Sequence, residues 1–229
     1  ISNYFFGFSK IGSNFNYEKD ISVKIISPNL SLKEYSKQNE ISYLKRLIKI
    51  SSPEKDKKTI FIWPEGIFYN TYLQDIKKYQ DLFDKNFSEN HLIILGINNL
   101  EYLPESDKQE YYNSLVILNS KLEVLFSYNK INLVPFGEFL PFNFFFSKLG
   151  LKKITHGYNS FSPGKKREII NLGNIFNEKL ILPLICYEII YPGNIKKNNK
   201  LPDLVINISE DAWFGQSIGP DQHFTKAIY

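Results

Sequence analysis

The sequence predicts an α/β layered domain with sheets packed face to face and helices outside. Three observations carry this. Several short runs are apolar at every position, as strands buried on both faces require. Early in the chain these runs alternate with stretches whose apolar residues recur at helical spacing. Later they pair as hairpins.

In chain order, Ile21–Ile26 is a β-rich run stopped by Ser27-Pro28-Asn29. From about Leu32 to Ile50 the positions of Leu44, Leu47 and Ile48 predict a helix. Thr59–Trp63 is a buried strand ending at Pro64-Glu65-Gly66. Tyr72–Phe83 reads as a second helix, and Leu92–Ile97 as another apolar strand. Tyr111–Leu118 and Lys121–Tyr128 flank Asn119-Ser120, which predicts a hairpin. Glu168–Leu172, Leu180–Cys186 and Asp203–Ile208 are further strands, and a last helix starts near Pro220. Residues 1–20 show no period and read as a lead-in segment before one domain over 21–229.

The 229 residues suffice for one large domain with a full core. The net charge of +4 comes from scattered lysines and short clusters such as Lys165-Lys166-Arg167. These read as solvated surface, and no nucleic-acid partner is expected. One Cys and three scattered His argue against a zinc site, so no cofactor is expected. No apolar run approaches the ~20 residues that span a bilayer. The chain has no Met and stops inside a predicted helix, which suggests an excerpt of a longer protein.

Cys186 is the only cysteine, and it stands where an apolar strand turns polar. A nucleophile is typically held this way, fixed by a rigid strand and presented at its tip. Glu188, two positions on, is expected on the same face of an extended chain. Glu65 follows Trp63-Pro64 at another strand end, where partial desolvation raises a carboxylate toward a useful base. Lys130 precedes a segment punctuated by Pro135, Gly137 and Pro141, and a lysine there can neutralise an oxyanion or lower a thiol pKa. Glu138 lies in that segment as a supporting acid. His223 reads as a hydrogen-bonded structural residue rather than a base.

Together these stretches resemble the nitrilase superfamily, whose members use a Glu-Lys-Cys triad. Glu65, Lys130 and Cys186 stand in that family's order. The wording of Lys130–Glu138, Ile185–Glu188 and Asp211-Ala212-Trp213-Phe214-Gly215 is similar to its apolipoprotein N-acyltransferase branch. The resemblance implies a four-layer α-β-β-α sandwich, with strands after the Gln222-His223 region missing. It implies Glu65 as general base, Cys186 as nucleophile and Lys130 as oxyanion partner, with Glu138, Tyr187, Glu188, Trp63 and Phe139 supporting the site or substrate. The implied reaction moves a fatty acyl chain from a phospholipid, through a Cys186 thioester, to the N-terminal amine of a diacylglyceryl-cysteine apolipoprotein. It also implies flanking membrane helices, a bacterial inner membrane and a catalytic domain facing the periplasm. The family commonly has Asn where this chain has Glu210.

A lipid substrate has independent support. Phe136, Phe139, Leu140, Phe142, Phe144, Phe145, Phe146 and Leu149 crowd a predicted loop, as at a bilayer interface or acyl groove. The alternatives are a soluble amidase or carbamoylase that hydrolyses a small C–N bond with the same triad, and a catalytically inert binding domain.

Overall fold

The structure is a computed structural model that describes residues 20–28, 39–104, 107–139, 160–191, 201–211, 215 and 217–228. Most of the lead-in segment, the aromatic stretch 140–149 and Ala212-Trp213-Phe214 lie outside the described residues.

The larger sheet has the order β1-β2-β4-β5-β6, with β3 paired to β4. Its strands are β1 (Ser22–Ile25), β2 (Thr59–Ile62), β3 (Phe68–Tyr72), β4 (His91–Leu103), β5 (Lys108–Leu118) and β6 (Val124–Asn129). β1, β2 and β4 are parallel; β4, β5 and β6 form an antiparallel meander. β6 therefore runs in the direction of β2, and both end at the same edge. The smaller sheet has the order β7-β8-β9: β7 (Ile170–Asn171), β8 (Leu180–Ile185) and β9 (Leu204–Ile208), with β8 and β9 parallel. β7 pairs with β8 only at Leu180 and Ile181. Beyond that point β8 has no strand partner on that side among the described residues, which suits Pro183 because it has no N–H to donate.

The two faces of the larger sheet carry different cores. On one side Phe61, Trp63, Ile93, Leu95 and Val116 pack against helices α1 (Glu40–Ser51) and α2 (Gln80–Asn86). On the other side Ile60, Leu92, Ile94, Leu115 and Ile117 meet Ile181, Ile185, Ile206 and Ile208 of the smaller sheet. Apolar strands on both faces are what this burial demands. Helix α3 (Gly219–Ile228) packs against the turn that follows β8, giving the α-β-β-α order.

Local chemistry sets the boundaries. Asn39 caps α1 by accepting the Ile41 N–H at 2.9 Å, and Ser52 closes it in the left-handed conformation. Glu40 is buried and accepts hydrogen bonds from the Thr71 and Tyr79 hydroxyls, each at 2.6 Å, which ties α1 to β3.

Two sequence expectations are corrected. Tyr72 ends strand β3, and the stretch after it is a 3-10 turn over Leu73–Tyr79 before α2 begins. The pairing of β3 with β4 holds Tyr72 extended, and the Glu40 bonds to Thr71 and Tyr79 tie down both ends of the 3-10 turn, so the expected helix begins one residue later and is α-helical only from Gln80. β4 also runs to Leu103, well past the apolar block, because β5 pairs with it along its whole length.

Candidate active site

Four strand ends converge at one edge of the sandwich. β2 delivers Glu65, β6 delivers Lys130, β8 delivers Cys186 and β9 delivers Ser209. Each strand is locked by pairing and core packing, so the residue just past its end is held by a rigid support.

Lys130 is 1% exposed, and its Nζ lies 2.9 Å from Glu138 Oε1 and 3.8 Å from Glu65 Oε1. Burial alone favours the neutral amine. The facing carboxylates of Glu65 and Glu138, with Cys186, outweigh it and hold the Lys130 pKa above the ordinary lysine value. Asn113, on β5, donates its side-chain amide to Glu65 Oε1 at 2.6 Å and to Glu138 Oε1 at 2.8 Å. Glu138 Oε2 accepts the Val134 N–H at 2.8 Å, folding the segment after Lys130 back over the site. Burial raises the Glu65 pKa above the usual carboxylate range; Lys130 pulls it down, Glu138 pushes it up, and the Asn113 amide and Glu210 N–H pull it down.

Cys186 is 8% exposed and has φ +53°, a left-handed conformation that non-glycine residues rarely adopt. The chain turns there from β8 into a 3-10 turn over Cys186–Ile190. Strain of this kind, held by surrounding structure, gathers at functional sites. The thiol pKa is pushed up to about 12, first by burial and then by Glu65, while Lys130, the Ser209 hydroxyl and the Tyr187 N–H oppose the rise. Such a thiol is inert until a base takes its proton, and Glu65 is the carboxylate that acts on it electrostatically.

The elbow is also gripped from behind. His223 is buried, its Nε2 lies 3.1 Å from the Cys186 carbonyl oxygen, and its Nδ1 lies 2.9 Å from Asp211 Oδ1. The His223 ring stacks on Tyr187 at 5.1 Å between centroids. The Cys186 sulfur, an Asp211 oxygen and a His223 nitrogen lie within 4.8 Å of one another. Both imidazole nitrogens already face acceptors, so a metal there would have to displace one of those hydrogen bonds.

Glu188 is placed differently from the sequence expectation. Because the chain turns at Cys186, Glu188 does not share an extended face with the thiol. Its side chain is fully buried and accepts from the Tyr128 hydroxyl at 2.8 and 2.9 Å and the Arg167 Nη2 at 2.7 Å. It also accepts from the backbone N–H groups of Ile131, Asn132 and Ile185 at 2.9, 3.1 and 3.0 Å. A carboxylate so fully occupied joins the Lys130 loop to the Cys186 elbow and has no lone pair left for a substrate. Trp63 is likewise away from the site: it is fully buried on the helix side, among Phe83 and Phe87, and donates Nε1–H to Ser51 Oγ at 2.9 Å. Phe139 is half-buried in the Lys130 segment, and its carbonyl accepts the Phe136 N–H at 2.7 Å.

A family model described as carbon-nitrogen hydrolase matches residues 50–227, most of the chain and all four strand ends. The chain belongs to the carbon-nitrogen hydrolase family. It is 33% identical over 225 residues to an apolipoprotein N-acyltransferase of Rickettsia typhi, covering 96% of this chain and 42% of that protein. It is 31% identical over 214 residues to one of Bradyrhizobium diazoefficiens, covering 90% and 39%. The chain thus spans about two fifths of the length of these curated relatives. A solved amidase from Nesterenkonia sp. is similar at 12% identity and a TM-score of 0.42, over 86% of this chain and 66% of that one. That likeness is too low to carry a mechanism. Among the described residues, no helix is long and apolar enough to cross a membrane.

Three residues of this candidate site carry roles that the sequence does not announce. Asn113 lies inside a strand read only for its hairpin. Ser209 is one polar residue just past the apolar run that ends at Ile208. Arg167 belongs to a basic triplet whose composition predicts solvated surface, but its side chain is 12% exposed and paired with Glu188. The first two carry no local sequence signal; only the sheet register brings Asn113 opposite Lys130, whose N–H donates to the Asn113 carbonyl at 2.9 Å.

Proposed function

We propose that this chain is the catalytic domain of an N-acyltransferase that moves a fatty acyl chain from a phospholipid to the N-terminal amine of a diacylglyceryl-cysteine apolipoprotein. The observation that carries the reading is the buried Lys130 ammonium between Glu65 and Glu138, beside a strained Cys186 elbow. The names of the relatives support acyl transfer to lipoproteins as its use.

In this reading Glu65 takes the Cys186 proton as sulfur attacks the ester carbonyl carbon of the phospholipid. The carbonyl oxygen becomes an oxyanion, stabilised by Lys130 and the backbone N–H of Tyr187. Collapse breaks the ester C–O bond, and the departing lysophospholipid oxygen takes the proton from Glu65. The amine of the acceptor then attacks the thioester, gives its proton to Glu65 and expels the thiolate, which is reprotonated. The reaction is ping-pong, and a thioester suits it because amines attack it readily. Glu138 and Asn113 hold Lys130 and Glu65 at working separation. The bilayer partner is the bacterial inner membrane, with the domain on its periplasmic side.

The test is intact-mass measurement of the full-length protein after incubation with phospholipid vesicles. An acyl adduct on Cys186 that is discharged by a diacylglyceryl-cysteine peptide, with the acyl group recovered on the peptide amine, is expected. No adduct, or hydrolysis of a small amide in its place, points to the amidase alternative or an inert domain.

A further inference from the structure

The geometry points to Arg167 as a positioning residue that holds the Lys130 loop and the Cys186 elbow in register. This rests on reading Lys130 and Cys186 as partners in one reaction. Its neighbour Lys166 is exposed and pairs with Glu168 at the surface. Arg167 instead turns inward. Its Nη2 donates to Glu188 Oε1 at 2.7 Å and to Asn132 Oδ1 at 3.3 Å, and its Nε donates to the Tyr128 hydroxyl at 3.0 Å. Tyr128 stands two residues before Lys130, Asn132 two residues after it, and Glu188 two residues after Cys186. One guanidinium therefore sits where the two chains bearing cation and nucleophile meet.

The charge and shape of arginine both matter there. Glu188 is fully buried, and its other donors are neutral groups. Arg167 is the cation that pairs with it among the described residues. The diverging N–H groups of a planar fork reach a hydroxyl and a carboxylate at once, which a lysine point charge does not. The same segment reaches Lys130 by a second route, because the Gly164 N–H donates to the Lys130 carbonyl at 2.8 Å. Arg167 touches neither the thiol nor Glu65 through any of these bonds, so its action runs through Glu188 and the loop.

The experiment uses the full-length protein with Arg167→Ala, Arg167→Lys and Arg167→Gln. Cys186 alkylation by iodoacetamide, acyl-transfer kcat and KM, and the thermal midpoint are measured. Arg167→Ala should alkylate about tenfold or more slowly and lose kcat by a similar factor, with KM within about twofold, while still folded at the assay temperature. Methylguanidinium at millimolar concentration should restore part of both rates where equal potassium does not, and Arg167→Lys should fall between. If the alanine variant does not fold, the lysine and glutamine variants carry the comparison. Rates within twofold of the unmodified protein would overturn the inference. So would a rise in phospholipid KM at constant kcat, which would make Arg167 a substrate contact. Alkylation needs no lipid, so absence of acyl transfer in the unmodified protein would count against the proposed reaction alone.

Discussion

Gly96 of β4 lies so close to Glu65 that a Cβ on it would sit 2.7 Å from the Glu65 Cα and 3.1 Å from the Gly66 nitrogen. Gly96 also donates its N–H to the Pro64 carbonyl at 3.2 Å. The candidate base is thus positioned by the absence of a side chain on the neighbouring strand. Gly96→Ala should push Glu65 away from Lys130. The expected result is a loss of about 1–3 kcal/mol of stability and about a hundredfold in acyl transfer. Denaturant unfolding and single-turnover acylation measure the two; unchanged acylation would show that the backbone yields without moving the carboxylate.

Lys130→Met should be costly in a pH-dependent way. It leaves two buried carboxylates without their shared cation, a loss of about 3–5 kcal/mol. Burial already raises the Glu65 pKa in the folded state, and loss of the lysine removes the main group that pulls it down. The deficit is therefore largest where Glu65 is ionised and shrinks as pH falls through its raised folded pKa. Unfolding curves across that range should show the variant approaching the unmodified protein on the acid side; a gap independent of pH would contradict the pairing. Cys186 alkylation should be nearly lost throughout.

Cys186→Ala and Cys186→Gly should both abolish acyl transfer, yet differ in stability. The φ of +53° at this position is strained for alanine and free for glycine. Relief of the left-handed strain favours the glycine variant by about 1 kcal/mol, offset in part by its greater unfolded-chain entropy. Glycine should be no less stable than alanine here, the reverse of the usual order. Turnover in either variant would remove Cys186 as nucleophile.

The pH dependence of Cys186 alkylation should carry an acid limb set by Glu65. Burial holds that carboxylate above the usual range, so the rate should begin to rise at higher pH than an exposed glutamate allows. Above that limb the rate should climb again only at strongly alkaline pH, as the thiol itself ionises, because burial and Glu65 push its pKa up to about 12. Glu65→Gln should erase the acid limb and lower the rate. Survival of that limb in the variant would assign it to another group.

The sequence was most legible where one residue and its neighbours decide the outcome. The strands at Thr59, Leu92 and Leu180 declare themselves by continuous apolar runs, and Cys186, Glu65 and Lys130 each stand at a change from apolar to polar. What it hid depends on distant partners. Tyr72 lies in a strand because β4 and Glu40 hold its segment, and local periodicity carries no trace of that. Arg167 belongs to a basic triplet whose composition says surface; only the approach of Tyr128 and Glu188 turns it inward. Glu188 stands two residues from the thiol in sequence, but the left-handed conformation of Cys186 sends it to a different task.

The smaller sheet supplies the sulfur, and the larger one supplies its acid and cation. Iodoacetamide reactivity is therefore a gauge of whether the two halves are seated together. A solvent or temperature that loosens the seam between Ile94 and Ile208 should expose the thiol and shift its alkylation profile toward that of a free cysteine while helices α1 and α2 still give their full circular dichroism.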